Sequence, residues 1–449
     1  MSQYPESWSV APLAEIASIE MGQSPNSQFY NDHGEGLPFF QGKAEFGSMH
    51  PTTRKWCSSP KKVANQGDIL LSLRAPVGPT NLAAEKCCIG RGLAAVHARE
   101  PFSQSYLLRL FRNLQPWLSE QGTGTTFAAI SGELLRTIEV PVPPHNEQER
   151  IADKLDAVLA RVDACRDRLD RIPVILKRFR QSVLAAATSG KMTEGWRNER
   201  YSGSGNWTEI PLDHACTKIT DGEHISPALI TSGVPLVSAK DVRDWGVDFS
   251  DTKFVGSEFA SVSRRRCNPE LDDVLVVSRG ATVGRACLIA SRREFCLMGS
   301  VLLFKPDLDR VIPRYLAAFL RSPLGLERLT GASGASAQSA IYIRDTKRLL
   351  ISLPPKNEQT EIVRRVESLF AFADRLEARY AAARTQVENL TPATLAKAFR
   401  GELVPQDPND EPASVLLERI RAKRGDAAAD NSKRGPQSPQ SKNHEETPC

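Results

Sequence analysis

The chain has 449 residues, 41% of them hydrophobic, which gives room for two or three domains with apolar cores. Its formal net charge of +5 is compatible with nucleic-acid binding but is not evidence for it. No apolar run approaches the length of a membrane span, and the start of the chain lacks the pattern of a signal peptide, so we expect no membrane association. The nine cysteines form no Cys-x-x-Cys pair, which favours reduced thiols in a cytoplasmic protein.

Residues 1–145 are predicted to form one α/β head. Residues 36–43 read as a short strand, and 68–73 as a buried strand bounded by glycine and by an Arg-Ala-Pro turn. Residues 106–118 have helical spacing, and alternating apolar residues at 138–142 indicate a last strand. Mixed strands and helices of this kind predict an α/β (α+β) head.

Residues 146–190 are predicted to form a long helix. Pro143 and Pro144 precede Asn146, which has the chemistry of an N-cap, and Glu149 stands at capping-box spacing from it. From Ile151 onward the apolar residues alternate in steps of four and three, which is the seam of a coiled coil and narrower than an ordinary amphipathic helix needs. Pro173 is expected to kink this helix.

A connector of residues 191–205 leads to a second head, predicted at 206–355, that repeats the landmarks of the first in the same order. Trp207 corresponds to Trp8, residues 233–240 correspond to 36–43, and 273–279 correspond to 68–74. Chance matches would not keep their order along the chain. The second head is therefore predicted to be a copy of the first with altered loops.

Residues 356–401 are predicted to form a second long helix of the same length. The motif Pro-Pro-x-Asn-Glu-Gln opens both helices, and Glu147 and Glu358 are 211 residues apart, as are Gly190 and Gly401. Two seams of equal length are natural partners, and antiparallel pairing would give two pseudo-symmetric heads separated by a coiled-coil spacer of about 65 Å. The seam positions are Ile151, Leu155, Val158, Val162, Leu169, Ile362, Val366, Leu369, Leu376 and Leu390.

Residues 402–449 are predicted to contain one short helix at 413–423, capped by Asp410, followed by a tail. Beyond about residue 425 the composition is polar and rich in Pro, Ser and Lys, which is typical of disorder.

The sequence lacks the catalytic signatures that would indicate an enzyme. It has no phosphate-binding G-x-x-x-x-G-K-[ST] loop, no Asn- or Asp-Pro-Pro-aromatic tetrapeptide of amino-methyltransferases, and no metal-ligand spacing among its seven histidines, so no catalytic or metal-binding residue is predicted.

Unequal heads on a rigid spacer fit a DNA duplex, whose major groove returns to the same face about every 34 Å. Two other functions stay open: a coiled-coil scaffold without a DNA role, and a single-chain DNA methyltransferase or nuclease with an unrecognised site.

The candidate DNA contacts are loop residues with charged or bidentate ends, because arginine and lysine bind guanine or phosphate and asparagine and glutamine bind adenine. Arg74 and Arg279 are the strongest candidates, since both end a buried strand at repeat-equivalent positions. The full set is Gln23, Asn26, Lys43, Arg54, Lys55 and Arg74 in the first head, and His224, Lys240, Arg243, Arg264, Arg265, Arg266 and Arg279 in the second.

Taken together, these motifs resemble the specificity subunit of type I restriction–modification systems over nearly the whole chain. The carriers are the doubled Pro-Pro-x-Asn-Glu-Gln-x-x-Ile, Gly-Asp-Ile-Leu-Leu-Ser-Leu-Arg-Ala-Pro-Val-Gly at 67–78, Asp-Asp-Val-Leu-Val-Val-Ser-Arg-Gly-Ala-Thr-Val-Gly at 272–284, and Phe-Arg-Gly-Glu-Leu-Val-Pro-Gln-Asp-Pro at 399–408. Two departures are Pro173, and Gly190-Lys191-Met192 where the second copy has Gly401-Glu402-Leu403.

The resemblance implies a non-catalytic subunit with two target-recognition domains, which reads two different half-sites of double-stranded DNA. It also implies two methyltransferase subunits that carry S-adenosylmethionine and methylate adenine, and two restriction subunits that use ATP and Mg²⁺ for translocation and cleavage. No cofactor is expected in this chain.

Overall fold

A computed structural model describes residues 4–122, 129–200, 207–331 and 340–433. Within it the chain forms two compact units. Unit 1 comprises Met1–Asp167 and Arg384–Cys449, and unit 2 comprises Arg168–Ala383. Each unit therefore contains one α/β head together with parts of both long helices.

The described part of the unit 1 head contains eleven strands and three α-helices. The strands are β1 (Ser9–Pro12), β2 (Ala17–Met21), β3 (Tyr30–Asn31), β4 (Leu37–Phe40), β5 (Trp56–Cys57), β6 (Val63–Ala64), β7 (Ile69–Ser72), β8 (Thr80–Leu82), β9 (Cys87–Ile89), β10 (Leu93–Ala98) and β11 (Glu139–Val142). The helices are α1 (Leu13–Ile16), α2 (Gln104–Glu120) and α3 (Gly132–Thr137).

The described part of the unit 1 head contains two larger sheets and the two-stranded pair β1–β11, and β7 lies at its centre. One sheet is antiparallel with the order β2-β10-β7-β8, and the other has the order β3-β5-β4-β9-β6 with β4 and β9 parallel. Ile69 and Leu71 of β7 face the core that contains Tyr106 of α2, whereas Leu70 faces a second core that contains Phe40. Burial on both faces explains why the sequence of β7 is a continuous apolar run.

The long helix α4 (His145–Thr188) begins in unit 1 and ends in unit 2. The described elements that follow it are α5 (Glu194–Arg200), β12 (Thr208–Pro211), α6 (Leu212–Ala215), β13 (Cys216–Asp221), β14 (Val234–Val237), β15 (Val242–Arg243), β16 (Gly246–Val247), β17 (Lys253–Val255), α7 (Ser257–Arg266), β18 (Val274–Val277), β19 (Ala286–Leu288), β20 (Cys296–Leu297), β21 (Val301–Pro306), α8 (Pro313–Arg321), α9 (Pro323–Gly331), α10 (Ile343–Lys347) and β22 (Leu350–Leu353).

The unit 2 head repeats the topology of the unit 1 head. Its central sheet has the order β13-β21-β18-β19, and its second sheet, β17-β14-β20, keeps the parallel pair. Two of the differences between the heads concern the loops beside the second sheet. Unit 2 adds the hairpin β15–β16, and it has helix α7, packed beside β20, where unit 1 has the edge strand β6.

The second long helix, α11 (Lys356–Ala398), runs antiparallel to α4 in both units. In unit 1, Ile151 near the start of α4 shares a core with Leu395 near the end of α11. In unit 2, Val183 near the end of α4 shares a core with Ile362 near the start of α11. The predicted fold class, α/β heads with two long antiparallel helices, is confirmed.

Helix α4 begins one residue earlier than predicted, α11 begins at the predicted residue, and both helices continue past their prolines. The carbonyl oxygen of Pro144 accepts the N–H of Gln148, so Asn146 lies inside the first turn and the predicted capping box is wrong. Asn146 instead donates to Asp410 over 3.4 Å. Pro173 and Pro392 lie inside helices that do not end there, because the rest of each segment stays packed on the heads.

Eight of the ten predicted seam positions are buried or half-buried, and two are exposed. Leu369 and Leu390 are 36% and 46% exposed. A straight helix drifts by about 20° per heptad from a strict seven-residue repeat, so the packed stripe moves to a neighbouring residue: Phe370 packs on the unit 2 core, and Leu395 is buried in unit 1. Buried seam residues are Ile151, Leu155, Val162, Ile362 and Val366, and half-buried ones are Val158, Leu169 and Leu376.

The final described helix, α12 (Ala413–Lys433), begins where predicted but continues ten residues further. Leu416 and Ile420 are buried in the unit 1 core. Asp410 does not cap this helix, because its carboxylate accepts hydrogen bonds from Arg150 at 3.2 and 2.5 Å, which holds its pKa below the usual range. The tail predicted to be disordered from about residue 425 is helical as far as Lys433, and the residues after it lie outside the described part of the chain. Residues 201–205 of the predicted connector also lie outside it.

The doubled Glu-Gln pair fastens each long helix to its head. Gln148 accepts the N–H of Ser103 at 2.8 Å, and Gln359 accepts that of Ile312 at 2.8 Å. Each side-chain amide also donates to the first proline carbonyl of its own motif at 2.9 Å. The glutamines therefore satisfy buried backbone groups at the start of α2 and α8, which is a structural role.

Candidate nucleic-acid interface

Two candidate residues of unit 1, Gln23 and Arg74, leave the central sheet at the same edge. The end of β2 faces the start of β10, since Met21 pairs with Ala94, and the start of β10 faces the end of β7, since Leu93 pairs with Ser72. Gln23 and Arg74 follow β2 and β7 by two residues, so the topology brings them together. We call this set of loops the unit 1 sheet edge.

The backbone of the unit 1 sheet edge is tightly packed. A Cβ on Gly22 would lie 2.1 Å from the carbonyl oxygen of Gly90, so only glycine fits there. Gln23 N–H donates to the Ile89 oxygen at 3.0 Å, and Arg91 N–H donates to the Ser24 hydroxyl at 3.2 Å. Side chains on these loops therefore project from a fixed backbone.

Three cations share a groove of about 140 Å³ at this edge: Lys43, Arg74 and Arg91. Gln41 and Ser72 also line it, and none of the described lining residues is acidic. All three cationic side chains are exposed, and none forms an ion pair with another described residue. Uncompensated positive charge in a concave surface attracts phosphate and guanine acceptors.

The other unit 1 candidates, Asn26, Arg54 and Lys55, do not line this groove. Lys55 is placed opposite the end of β4, because its carbonyl oxygen accepts the N–H of Phe39 at 2.8 Å. Lys55 and Arg54 are both exposed. The Asn26 side chain accepts the N–H of Gln28 at 3.2 Å, which uses one acceptor for a local turn.

Unit 2 has the same edge with the same backbone contacts. Asp221 pairs with Leu302, and Val277 pairs with Val301, so the ends of β13 and β18 meet the start of β21. A Cβ on Gly222 would lie 2.1 Å from the Leu297 oxygen. Arg74 and Arg279 also occupy equivalent isolated bridges, to Ala129 and Ala340. We call these loops, with α7, the unit 2 sheet edge.

Two cations of unit 2 are restrained by carboxylates. Lys240 Nζ lies 2.7 Å from Asp251 Oδ2 and 3.4 Å from Asp241 Oδ1. The hydrogen bond to Asp251 raises the pKa of Lys240 and lowers the pKa of Asp251. Arg243 lies 3.5 Å from Asp248. These charges are partly neutralised within the head, unlike Lys43 in unit 1.

The three consecutive arginines that end α7 have different surroundings. Arg264 donates to Glu294 at 2.8 Å and to Asn268 at 2.9 Å, so it is committed within the head. Arg265 is exposed and has no ion-pair partner among the described residues. Arg266 binds Asp221, whose second oxygen contacts His224 Nε2 at 2.7 Å.

A protein-family model, the type I restriction modification DNA specificity domain, matches residues 5–173 and 232–382, which contain Arg74 and Arg279. The chain belongs to this family. It is similar to the type I restriction enzyme EcoBI specificity subunit of Escherichia coli, with 28% identity over 449 residues that cover 93% of each chain. The EcoKI specificity subunit of Escherichia coli strain K12 is 34% identical over 328 residues, which cover 70% of this chain and 69% of that relative.

A solved structure, described as the structural basis of complex assembly and conformational transition of the type I R-M system, contains a chain of similar fold. The TM-score is 0.67 at 19% identity, with 90% of this chain and 100% of that chain covered. At such identity the likeness shows the fold alone. From the family, this specificity subunit supplies the DNA sequence specificity of a type I restriction–modification system and works in complex with other subunits.

Two residues of the candidate interface were missed by sequence reasoning. Arg91 lies in Gly90-Arg91-Gly92, a tripeptide whose glycines were a usable signal: a Cβ on Gly92 would lie 2.2 Å from the Gln41 oxygen. Asp221 carried no signal, because its importance depends on two side chains that reach it from other loops.

The described residues of the specificity subunit contain no cluster of three His, Cys, Asp or Glu side chains that could hold a metal ion. Burial raises the pKa of the Cys87 and Cys287 thiols to about 12, which leaves them unreactive at neutral pH. Among the described helices, none is both long enough and apolar enough to cross a membrane.

Proposed function

We propose that this specificity subunit reads an asymmetric bipartite DNA site, with one half-site bound by each sheet edge. The observation that carries the proposal is the equivalence of Arg74 and Arg279 on a repeated backbone whose surrounding loops differ. Equal edges would favour a palindrome, whereas unequal edges favour two different half-sites.

The two edges are suited to different mixtures of contacts. Lys43, Arg74 and Arg91 of unit 1 form a basic groove that fits phosphate oxygens together with the O6 and N7 acceptors of guanine. In unit 2, Arg279 stands at the equivalent position, and Arg265 and Arg266 project from α7. Arginine outnumbers lysine among these cations, and its planar fork favours base reading over simple charge neutralisation.

We assign the chemical steps to partner subunits and none to this chain. Two methyltransferase subunits would carry S-adenosylmethionine, and two restriction subunits would use ATP and Mg²⁺. The family resemblance supports this division. The DNA to be modified lies inside the cell, so the cytoplasm is the expected location.

Unit 2 offers a surface for one of these partners. A cleft of about 980 Å³ lies between its head and the long helices, lined by Trp245 of the hairpin, Arg321 of α8 and Phe370 of α11. Burial lowers the pKa of Arg321, and the charge of Asp244 offsets this only in part. Exposed Val174 and Ile175 of α4 provide apolar area on the same unit. We propose that a methyltransferase subunit contacts this cleft and the exposed apolar residues of α4, so Trp245→Ala in the cleft and Ile175→Asp on α4 should each weaken co-purification.

The deciding experiment is to purify the chain with its methyltransferase partner and to map the adenines that the complex methylates by single-molecule sequencing. The expected result is one bipartite motif with two dissimilar halves. Methylation of random DNA at the same rate as any bipartite site would refute the proposal.

Two measurements distinguish the alternatives. A salt dependence of DNA binding with a log–log slope near zero would indicate a scaffold without a DNA role, because each neutralised phosphate contributes about 0.9 to the slope. Binding of S-adenosylmethionine by the isolated chain would instead indicate a single-chain methyltransferase.

A further inference from the structure

A buried carboxylate, that of Asp221, lies at the unit 2 sheet edge. Asp221 is the last residue of β13, and its side chain is only 11% exposed. Its Oδ1 accepts a hydrogen bond from Arg266 Nη2, and its Oδ2 lies 2.7 Å from His224 Nε2. One carboxylate thus holds two candidate DNA-contacting side chains that come from different segments.

The surroundings fix both of these side chains. Lys218 Nζ donates to the Arg266 carbonyl at 2.6 Å, which ties the end of α7 to β13. The His224 ring lies over Gly299, where a Cβ would be 2.5 Å from Nδ1, so a glycine is needed to seat it. Arg266 and His224 nevertheless remain 48% and 47% exposed, which leaves polar atoms accessible to DNA.

The fold does not require this carboxylate. Met21 occupies the equivalent position in unit 1, immediately before the equivalent glycine and in the same strand register. Burying a carboxylate is unfavourable unless it is compensated, so a structural role would be better served by an apolar residue. The contrast with Met21 indicates that Asp221 serves the reading of DNA by unit 2.

We propose that Asp221 is a positioning residue that holds Arg266 and His224 in the geometry for reading a guanine in the unit 2 half-site. A guanidinium has five N–H donors, and Asp221 engages Nη2, so the others can reach O6 and N7 of guanine. A side chain held in place beforehand loses less conformational freedom on binding, which strengthens discrimination. This inference rests on the proposed bipartite reading.

The test uses the complex with its methyltransferase partner and a DNA library randomised in one half-site at a time. Asp221→Asn and Arg266→Ala should reduce preference at the same guanine of the unit 2 half-site by about three- to tenfold. Arg266→Lys should lose the same preference while keeping more of the total affinity, because it keeps the charge but not the fork. Preference within the unit 1 half-site should not change.

The matched control is Asp273→Asn. Asp273 is a similarly buried carboxylate of the same head, but it binds Lys305 Nζ at 2.7 Å at the opposite end of β18. This control should lower the melting temperature without altering base preference. Unchanged preference in Asp221→Asn, or equal losses in both half-sites, would overturn the inference. A wild-type complex that selects no half-site would overturn the proposed function itself.

Discussion

The two sheet edges share a backbone but differ in how their cations are held. In unit 1, Lys43, Arg74 and Arg91 line one groove without an acidic neighbour in its described lining. In unit 2, Lys240 is equivalent to Lys43 but is paired with Asp251. Gly299 stands at the position equivalent to Arg91, so unit 2 lacks that arginine. Backbone contacts such as those of Gly22 and Gly222 preserve the frame, so specificity can change through side chains and inserted loops alone.

The helix α7 is the clearest inserted element. It replaces the edge strand β6 of unit 1, which contributes two residues to the second sheet. A helix of ten residues can present several arginines at once, whereas a two-residue strand at the rim of a sheet cannot. The difference accounts for a richer set of candidate contacts in unit 2.

The buried glutamates that begin the long helices provide a second comparison. Glu147 accepts hydrogen bonds from Trp8 at 2.9 Å and Gln406 at 2.6 Å, both neutral groups, and burial raises its pKa despite them. Glu358 binds Thr193 at 2.7 Å and the charged Arg197 at 2.9 Å. Each glutamate fastens the segment that follows the opposite long helix.

The largest predicted effect is a difference in stability between alanine substitutions of these two glutamates. Glu358→Ala leaves Arg197 largely buried without its counter-ion and should cost about 2–4 kcal/mol of unfolding free energy. Glu147→Ala removes hydrogen bonds to neutral groups and should cost about 1–2 kcal/mol. Urea unfolding followed by hydrogen exchange in each head would measure both, with exposed Glu377→Ala as the control. Equal costs would refute the distinction.

The next effect concerns the equivalent arginines. Arg74→Ala should weaken binding at the unit 1 half-site by about 1–3 kcal/mol, and Arg279→Ala should do the same at the unit 2 half-site. Competition binding with DNA altered in one half at a time would measure this. If either substitution weakens both halves equally, the assignment of one half-site to each unit is wrong.

The sequence predicted the parts of this architecture that repeat or follow a period. The apolar runs of β7 and β18, the paired helices, and the equivalence of Arg74 with Arg279 all follow from spacing. Exposure of Leu369 could not be predicted, because a seven-residue pattern does not reveal where a straight helix drifts from its partner. Contacts made only when separate loops meet, such as Arg266 with Asp221, carry no local signal.

Arg91 tests whether the groove of unit 1 acts as a whole. Arg91→Ala should weaken binding at the unit 1 half-site by about 1 kcal/mol, because one charged contact is lost while Arg74 remains. The reverse experiment, adding the equivalent arginine to unit 2 by Gly299→Arg, would not be informative, because any side chain at Gly299 would displace His224. Arg136→Ala, a change of the same type on α3, is the control. A loss of affinity confined to the unit 2 half-site would contradict the placement of Arg91.

The smallest effect compares the two equivalent lysines. Lys43 is exposed without a described partner, whereas Lys240 is held by Asp251. Lys43→Ala should lower the log–log salt slope of DNA binding by about 1, because one fewer phosphate is neutralised. Lys240→Ala should lower the slope by less, since Asp251 already offsets that charge. Asp251→Asn, made with Lys240 intact, should raise the slope, because it frees Lys240 to neutralise a phosphate. Equal changes for both lysines would mean that Asp251 releases Lys240 to DNA, and the contrast between the two sheet edges would then lie in their arginines alone.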